Sequence, residues 1–472
     1  MRIYFMSICG TGMGNGAILM RSLGHSVTGA DQDTYPPMSD RLRESGIEVH
    51  AGYDPERLEA LAPDLVVVGN VNTRGNPEVE WLLETRAIPF VSLPQLLADA
   101  ILCHRRTIVV TGTHGKTTTT ALAASLLQRT GIDAGYLIGG VPLDLPGGAH
   151  IGASDAPFVI EGDEYDSAFF DKRSKFIHYC PRIVVLNNLE FDHADIFRDL
   201  EDIRRTFRHL LKLIPRNGWI LANSDDPEVE DLLHLDWARI LRVGKGDRAD
   251  LRLTGLSESS SGASCDLTYH GDFLGRLEIG LNGAYNLRNA AMAILASSLV
   301  AGIDPRAFDY RAISDCRGVK RRQERLFDGK DCRVYSDFGH HPTAVRETLL
   351  ALRERYPDAR LVACFEPRSN TSCRKVHETA FELAFDHADE VHFGAVFRAE
   401  RYPDQDRIDL PGMAVRLGGK AHAHSGNEAL LDALCRQQPS WGTSVVVCFS
   451  NGSFDGVIEA FVRFLETGGT GS

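Results

Sequence analysis

Long apolar runs are missing: no stretch approaches the roughly 18 uninterrupted apolar residues that a membrane-spanning helix needs, and no lipidation signal occurs. A bilayer-spanning or lipid-anchored protein is thereby set aside. The opening Met1-Arg2-Ile3-Tyr4-Phe5-Met6-Ser7-Ile8-Cys9-Gly10 meets a glycine too early for a secretory h-region and reads as a first β-strand. Positive charge is also scarce: 51 Lys and Arg against 64 Asp and Glu leave a net charge of −13, which opposes any non-specific hold on phosphate backbones or anionic lipid. Neither nucleic acid nor membrane is expected as a partner, and the cytoplasm is the expected location. Cys-x-x-Cys pairs are absent among the ten cysteines. Several of them, such as Cys364 and Cys448, sit inside apolar strand-like runs, so the set reads as small core residues in a reducing compartment.

What is present is ordinary globular composition over a long chain. Apolar residues make up 43%, charged residues 24% and aromatics 8% of 472 residues, enough for roughly three domains at about 150 residues each. Short Val/Ile-rich runs alternate with helical patterns at Ile3–Ile8, Leu65–Val68, Thr107–Val110, Phe158–Ile160, Ile183–Leu186, Leu361–Phe365 and Ser444–Phe449. Such alternation predicts α/β layers with mostly parallel sheets. Turns at Gly10, Gly112 and Asn451 open helices after three of these strands, and each can found a doubly wound unit. The expected division is 1–103, 104–312 and 313–472, with Ser257–Gly262 a flexible loop and the tail Thr467–Ser472 frayed.

The strongest chemical signal is Val109-Val110-Thr111-Gly112-Thr113-His114-Gly115-Lys116-Thr117-Thr118, a strand, a glycine turn and a helix start. In that context freed backbone N–H groups and the helix N-terminus attract anionic oxygens, Lys116 neutralises terminal phosphates, and the Thr117 hydroxyl can ligate Mg²⁺. Val110 stands where the general G-x-x-x-x-G-K-[ST] pattern has its first glycine, so the loop is a variant. Two later strands end at Glu161 and, past Asn188-Leu189-Glu190-Phe191-Asp192, at His193. Carboxyl ends of parallel strands share one edge, so Glu161 and His193 can complete a Mg²⁺ shell begun by Thr117, although imidazole is an unusual ligand for so hard an ion. Asp163 and Asp166 read as surface carboxylates or helix caps.

Three further clusters stand out. Cys9-Gly10-Thr11-Gly12-Met13-Gly14-Asn15-Gly16-Ala17, with Asp31 ending the next strand, imitates a dinucleotide fingerprint one step late; it reads either as a pyrophosphate site or as a turn kept for tight helix packing. Asp337-Phe338-Gly339-His340-His341-Pro342 places a carboxylate and two imidazoles at a strand end, before a helix whose first turn suits Pro342. Adjacent histidines commonly divide into one packed and one solvated ring, and His341 is taken as the functional one. Arg368, in Glu366-Pro367-Arg368-Ser369-Asn370-Thr371, suits a substrate carboxylate and equally suits a plain surface position. An NAD-dependent oxidoreductase built on the N-terminal glycines leaves Gly115-Lys116-Thr117 unexplained, and a nucleotide-binding regulator without catalysis leaves Lys116, Glu161, His193 and His341 unexplained.

Taken together, Thr111 to Thr118, Asn188-x-Glu190-x-Asp192-His193, Asn286-x-x-Asn289-Ala290, Arg321-Arg322 and Asp337 to Pro342 resemble the Mur ligase family, in that family's order and over nearly the whole chain. The long Glu164 to Phe176 segment, Tyr35 to Ser39, Thr73 to Pro77 and Glu366 to Thr371 resemble its peptide-recycling branch. The resemblance implies a Rossmann-like N-terminal domain, a central P-loop ATPase-like parallel-sheet domain and a Rossmann-like C-terminal domain. It implies ATP and Mg²⁺ as cofactors, and an acyl-phosphate route joining L-alanyl-γ-D-glutamyl-meso-diaminopimelate to UDP-N-acetylmuramate, with free L-alanine as the alternative acceptor. Catalytic roles fall on Lys116, His193, Asp337 and His341. Nucleotide binding falls on Gly112, Thr113, Gly115, Lys116, Thr117, Thr118, Asn286 and Arg322, and metal binding on Thr117, Glu161 and His193. The UDP-sugar falls to Gly10, Gly12, Met13, Asp31, Asn70 and Thr73, and the peptide to Arg368 and Asn370. A monomer or weak homo-oligomer is expected, without a carbamylated lysine, since Arg204-Arg205-Thr206-Phe207-Arg208 occupies that region.

Overall fold

The computed structural model describes residues 1–34, 36–259 and 261–468. Tyr35, Ser260 and the tail 469–472, all invoked above, lie outside the described residues. The expected three-domain α/β architecture is present, built on three main sheets.

The first sheet is wholly parallel, with strands in the order Glu48–Ala51, Ser26–Asp31, Arg2–Met6, Leu65–Val68 and Phe90–Ser92. Strand order reverses between Arg2–Met6 and Leu65–Val68, so the loops after these two strands flank a crevice at the carboxyl edge. The second sheet has ten strands. Its parallel centre runs Arg239–Gly244, Trp219–Asn223, Ile183–Leu186, Thr107–Thr111, Phe158–Glu161 and Gly135–Leu137. The third sheet places Cys332–Asp337, Ser444–Phe449, Arg360–Phe365 and Glu390–Phe393 in parallel, with Glu324–Asp328 antiparallel at one edge.

Burial explains how the layers join. The helices Lys116–Arg129 and Ala284–Ala301 are buried along most of their length, the first including four threonines, and pack on one face of the central sheet. The opposite face, through Val109, Phe158, Phe176 and Phe207, shares a single apolar cluster with Ile3, Phe5, Met20 and Leu97 of the N-terminal domain. The C-terminal sheet keeps separate cores on its two faces, while Ile313, Cys316 and Val319, which lead into it, belong to the central domain's cluster. Beyond these residues the seam with the central domain is polar: Asn370 donates to Asp195 at 3.1 Å, the Ala194 N–H to Thr371 at 3.2 Å, and Arg355 to Asn282 at 2.8 Å. Tyr285 joins this seam, accepting from the Gln323 amide.

Two expectations are corrected. Ser257 to Ser259 are not loop but the end of the strand Leu251–Ser259, paired with Gly262–Tyr269 in a hairpin. Ladder bonds and a 2.9 Å hydroxyl contact between Ser257 and Ser264 hold it, which a serine-rich composition does not reveal. The cysteines are not all unpaired: Cys103 and Cys180 form a disulfide, because pairing of Thr107–Thr111 with Ile183–Leu186 brings the approaches to both strands together. The other eight are outside any disulfide among the described residues, and all but Cys435 are buried.

Candidate active site

The phosphate-loop signature is a real strand–turn–helix. Thr107–Thr111 is fully buried and passes through Gly112 to Gly115 into Lys116–Arg129. Gly112 has φ 124°, and a Cβ there would lie 3.0 Å from backbone atoms of Asn188. At Gly115, φ is 79° and a Cβ would stand 2.8 Å from Asn289 Oδ1. The turn therefore requires glycine at both positions. Asn188 closes it from the neighbouring strand end, accepting the His114 N–H at 2.8 Å.

Lys116 Nζ donates to Glu164 at 2.9 Å and to the Gly112 carbonyl at 2.7 Å. Glu164 in turn meets His193 Nε2 at 3.0 Å, so one carboxylate bridges the lysine and the imidazole. Burial alone pushes the Lys116 ammonium down, but the carboxylates of Glu164 and Asp163 outweigh it and raise its pKa. Burial likewise opposes charge on Glu164, yet Lys116 and His193 hold its carboxyl below the usual range. His193 has φ 57°, a left-handed backbone unusual for a side chain of this size. Thr117 Oγ1 donates to Glu161 at 3.0 Å, and Arg322 reaches the same hydroxyl at 3.4 Å from across the seam. Thr117 and Glu161 thus form a pair of hard oxygen donors of the type Mg²⁺ takes. His193, expected beside them, is turned to Glu164 instead, because that carboxylate offers the charge partner its ring needs.

Across the cleft, Gly10, Thr11, Gly12, Met13, Asp31 and Asn70 line the N-terminal crevice. Asp31 accepts the Cys9 N–H at 2.8 Å and so fixes the loop after the first strand. Gly14 serves packing, since a Cβ there would lie 2.4 Å from Met38 Sδ. Thr73 does not share the lining: the turn closed by Asn76 N–H on its carbonyl leaves it exposed.

From the C-terminal domain, Asp337 is buried and accepts the Gln323 and Gly339 N–H groups at 2.8 and 2.6 Å, which ties both its oxygens to the turn. Burial, first, and nearby His114 push the His341 imidazole down to about 3, so the ring is neutral. Its Nδ1 lies 3.1 Å from His114 Nε2 and 3.2 Å from Glu190 Oε2. Arg368 pairs with Glu366 at 3.2 Å and stacks on Phe397 with 3.7 Å between guanidinium and ring centre. Asn370 is spent on the seam, between Asp195 and the Tyr402 hydroxyl. Asn286 is buried, bonded to the Asn282 carbonyl and to Asn289.

Except for Thr73 and Gly112, the residues given a site role from the sequence line one cleft of about 2010 Å³ shared by the three domains. Sequence reasoning assigned no role to Glu164, His114 or Glu190. His114 and Glu190 hide in the variable positions of their motifs. Glu164 sits three residues beyond the strand-end Glu161, where a second carboxylate facing the loop lysine was the available signal.

Comparison with known proteins agrees with this geometry. Residues 2–105 match the Mur ligase family catalytic domain, 110–297 the Mur ligase middle domain, and 321–452 the Mur ligase glutamate ligase domain. The chain belongs to the Mur ligase family. It is accordingly an ATP-dependent amide ligase. Among Mur ligases it is 41% identical, over 97% of its length and 96% of the relative's, to the UDP-N-acetylmuramate–L-alanyl-γ-D-glutamyl-meso-2,6-diaminoheptandioate ligase of Escherichia coli K12. Identity to the UDP-N-acetylmuramate–L-alanine ligase of Desulfosudis oleivorans is 31% over 90% of this chain and 89% of that one. The solved murein peptide ligase of Psychrobacter arcticus 273-4 superposes with a TM-score of 0.74 at 34% identity, covering 100% of this chain and 99% of its own.

Proposed function

We propose that this Mur ligase joins L-alanyl-γ-D-glutamyl-meso-diaminopimelate to the lactyl carboxylate of UDP-N-acetylmuramate, releasing ADP and phosphate, in the cytoplasm. The observation that carries the proposal is the single cleft in which the Gly10–Met13 turn, the Lys116 loop and Arg368 face one another. The higher identity to the tripeptide ligase than to the L-alanine ligase favours the peptide as acceptor.

In this reading the carboxylate attacks the γ-phosphoryl group of ATP, and the peptide amine then displaces phosphate from the acyl phosphate. Negative oxygen charge grows in both steps. Lys116, carried on the helix N-terminus, and Arg322, reaching over from the C-terminal domain, stabilise that charge. Thr117 and Glu161 hold Mg²⁺, which when bound supplies electrostatic stabilisation to the phosphoryl oxygens. His341, neutral and buried, orients the amine and accepts its proton. The Glu164–Phe176 segment folds as a small hairpin, Asp166–Ala168 with Asp171–Ser174, which leans on the N-terminal domain through Phe170 against Phe90 at 5.1 Å. Tyr165, Ser167 and Lys175 of this segment line the cleft.

Phosphate release by the purified protein with Mg-ATP and UDP-N-acetylmuramate tests the proposal. Release with tripeptide and not with L-alanine is expected; release with L-alanine alone overturns it.

A further inference from the structure

Three side chains from separate parts of the chain meet beside the phosphate loop. His114 Nε2, Glu190 Oε2 and His341 Nδ1 form a triangle with edges of 3.1, 3.2 and 3.3 Å. Among the described residues, this is the one cluster of three or more His, Cys, Asp or Glu side chains whose donor atoms all lie within 4.8 Å of one another.

The proton count within the triangle is short. His341 Nε2 lies 3.2 Å from the Phe191 carbonyl, an acceptor only, so that nitrogen carries the ring hydrogen. Its Nδ1 is then a lone pair, and the Thr343 N–H that also points at it does so from 3.3 Å. Glu190 Oε2 is an acceptor, taking the Thr343 hydroxyl at 2.7 Å. Among the three atoms themselves a hydrogen can come only from His114 Nε2, which is within reach of both others. One ring hydrogen thus serves two acceptors inside the triangle, and Thr343 supplies its N–H and hydroxyl from outside.

A cation can take all three atoms at once. Ligands bound at about 2.0–2.1 Å in tetrahedral geometry stand about 3.3 Å from one another, which is the size of this triangle. Two imidazoles and one carboxylate suit a borderline ion and not the hard Mg²⁺. The surroundings are those of a metal centre too: the Phe191 carbonyl fixes the His341 tautomer, and the Thr343 hydroxyl donates to Glu190 at 2.7 Å.

We infer that His114, Glu190 and His341 form a binding site for Zn²⁺ or a closely similar transition-metal ion, separate from the Thr117–Glu161 pair, with a fourth position open to water. His114 and Glu190 belong to the central domain and His341 to the C-terminal domain, so the ion ties the two across their polar seam. It also holds His341 by Nδ1, the ring nitrogen left without the hydrogen. Zinc therefore acts as an inhibitor of turnover, fixing one arrangement of the domains.

The test needs no substrate, so its failure is distinct from failure of the ligase proposal. The full chain, freed of metal with a chelator, is titrated with Zn²⁺ by calorimetry, and with Co²⁺ by visible absorption. Wild-type protein is expected to lose one equivalent of tight zinc on Glu190→Gln and on His341→Ala, and to keep it on His193→Ala. Thr343→Val, which leaves all three ligands in place, is expected to weaken binding roughly tenfold. Co²⁺ should give the intense visible bands of a four-coordinate site. Zinc should raise the midpoint of thermal unfolding in wild type and leave it unmoved in His341→Ala. Circular dichroism of each variant establishes that it is folded. No zinc uptake by wild type, or full uptake retained by both Glu190→Gln and His341→Ala, overturns the site.

Discussion

Lys116 Nζ and a Glu164 carboxylate oxygen stand 2.9 Å apart, so the loop lysine already holds a carboxylate where a phosphate is to be received. A nucleotide entering this site exchanges one anion for another rather than finding a bare cation. The same carboxylate steadies His193, so Glu164 couples the phosphate loop to the strand end beside it.

Replacing Glu164 by Gln removes the largest of the charges that raise the Lys116 pKa against burial. The Lys116 amine should therefore become neutral at lower pH in the variant. Measuring its acylation rate as a function of pH checks this: the profile is expected to move to lower pH, and an unmoved profile rejects the assignment.

Lys116→Ala takes away the cation placed at the phosphoryl group while leaving the N-terminal crevice intact. The kcat is expected to fall by about 10²–10³-fold, with UDP-sugar affinity measured by calorimetry unchanged. A comparable loss in both quantities would mean that the lysine supports the fold of the whole cleft.

Arg368 is held by Glu366 and by the Phe397 ring, an arrangement that fixes the guanidinium in direction. If it reads the peptide, Arg368→Ala should raise the tripeptide KM by about tenfold or more, as loss of a charge-assisted contact does, and leave the UDP-sugar KM nearly unchanged. Arg368→Lys should recover little, because a point charge does not reproduce the fork. Equal changes in both KM values would remove Arg368 from peptide recognition.

His341 gives a pH signature. Its folded pKa, about 3, lies below the usual value of 6.5. Between those limits the unfolded chain binds a proton that the native ring refuses, so stability is full above pH 6.5 and declines as pH falls towards 3. His341→Asn should flatten the fall of the unfolding midpoint over that window. An unchanged slope would show that the ring is protonated in the native state.

Much of this was legible from residue order, and the limits have physical causes. Thr107 to Thr118 announced a strand, turn and helix because a buried strand, obligatory glycines and a helix start leave local traces. Glu161 was legible for the same reason, standing at the end of an apolar run. The partner of His193 was not: whether an imidazole turns to Glu161 or Glu164 is settled by charge and burial in three dimensions. The meeting of His114 with His341, 227 residues apart, depends on how the C-terminal domain docks. No local pattern encodes that. The hairpin at Ser257 was misread because cross-strand pairing, not serine content, decides its order.

The contrast between the two domain seams bears on how acceptor choice can change. The N-terminal and central domains share one apolar cluster, so substitutions on either side must be matched on the other. The C-terminal sheet meets its neighbour through individual polar hydrogen bonds, which can re-form with a different partner more readily than a shared apolar core can repack. The half that holds nucleotide and sugar is therefore constrained to vary as a block. The half that carries Arg368 is a replaceable module, able to be traded between ligases without rebuilding the core beneath it.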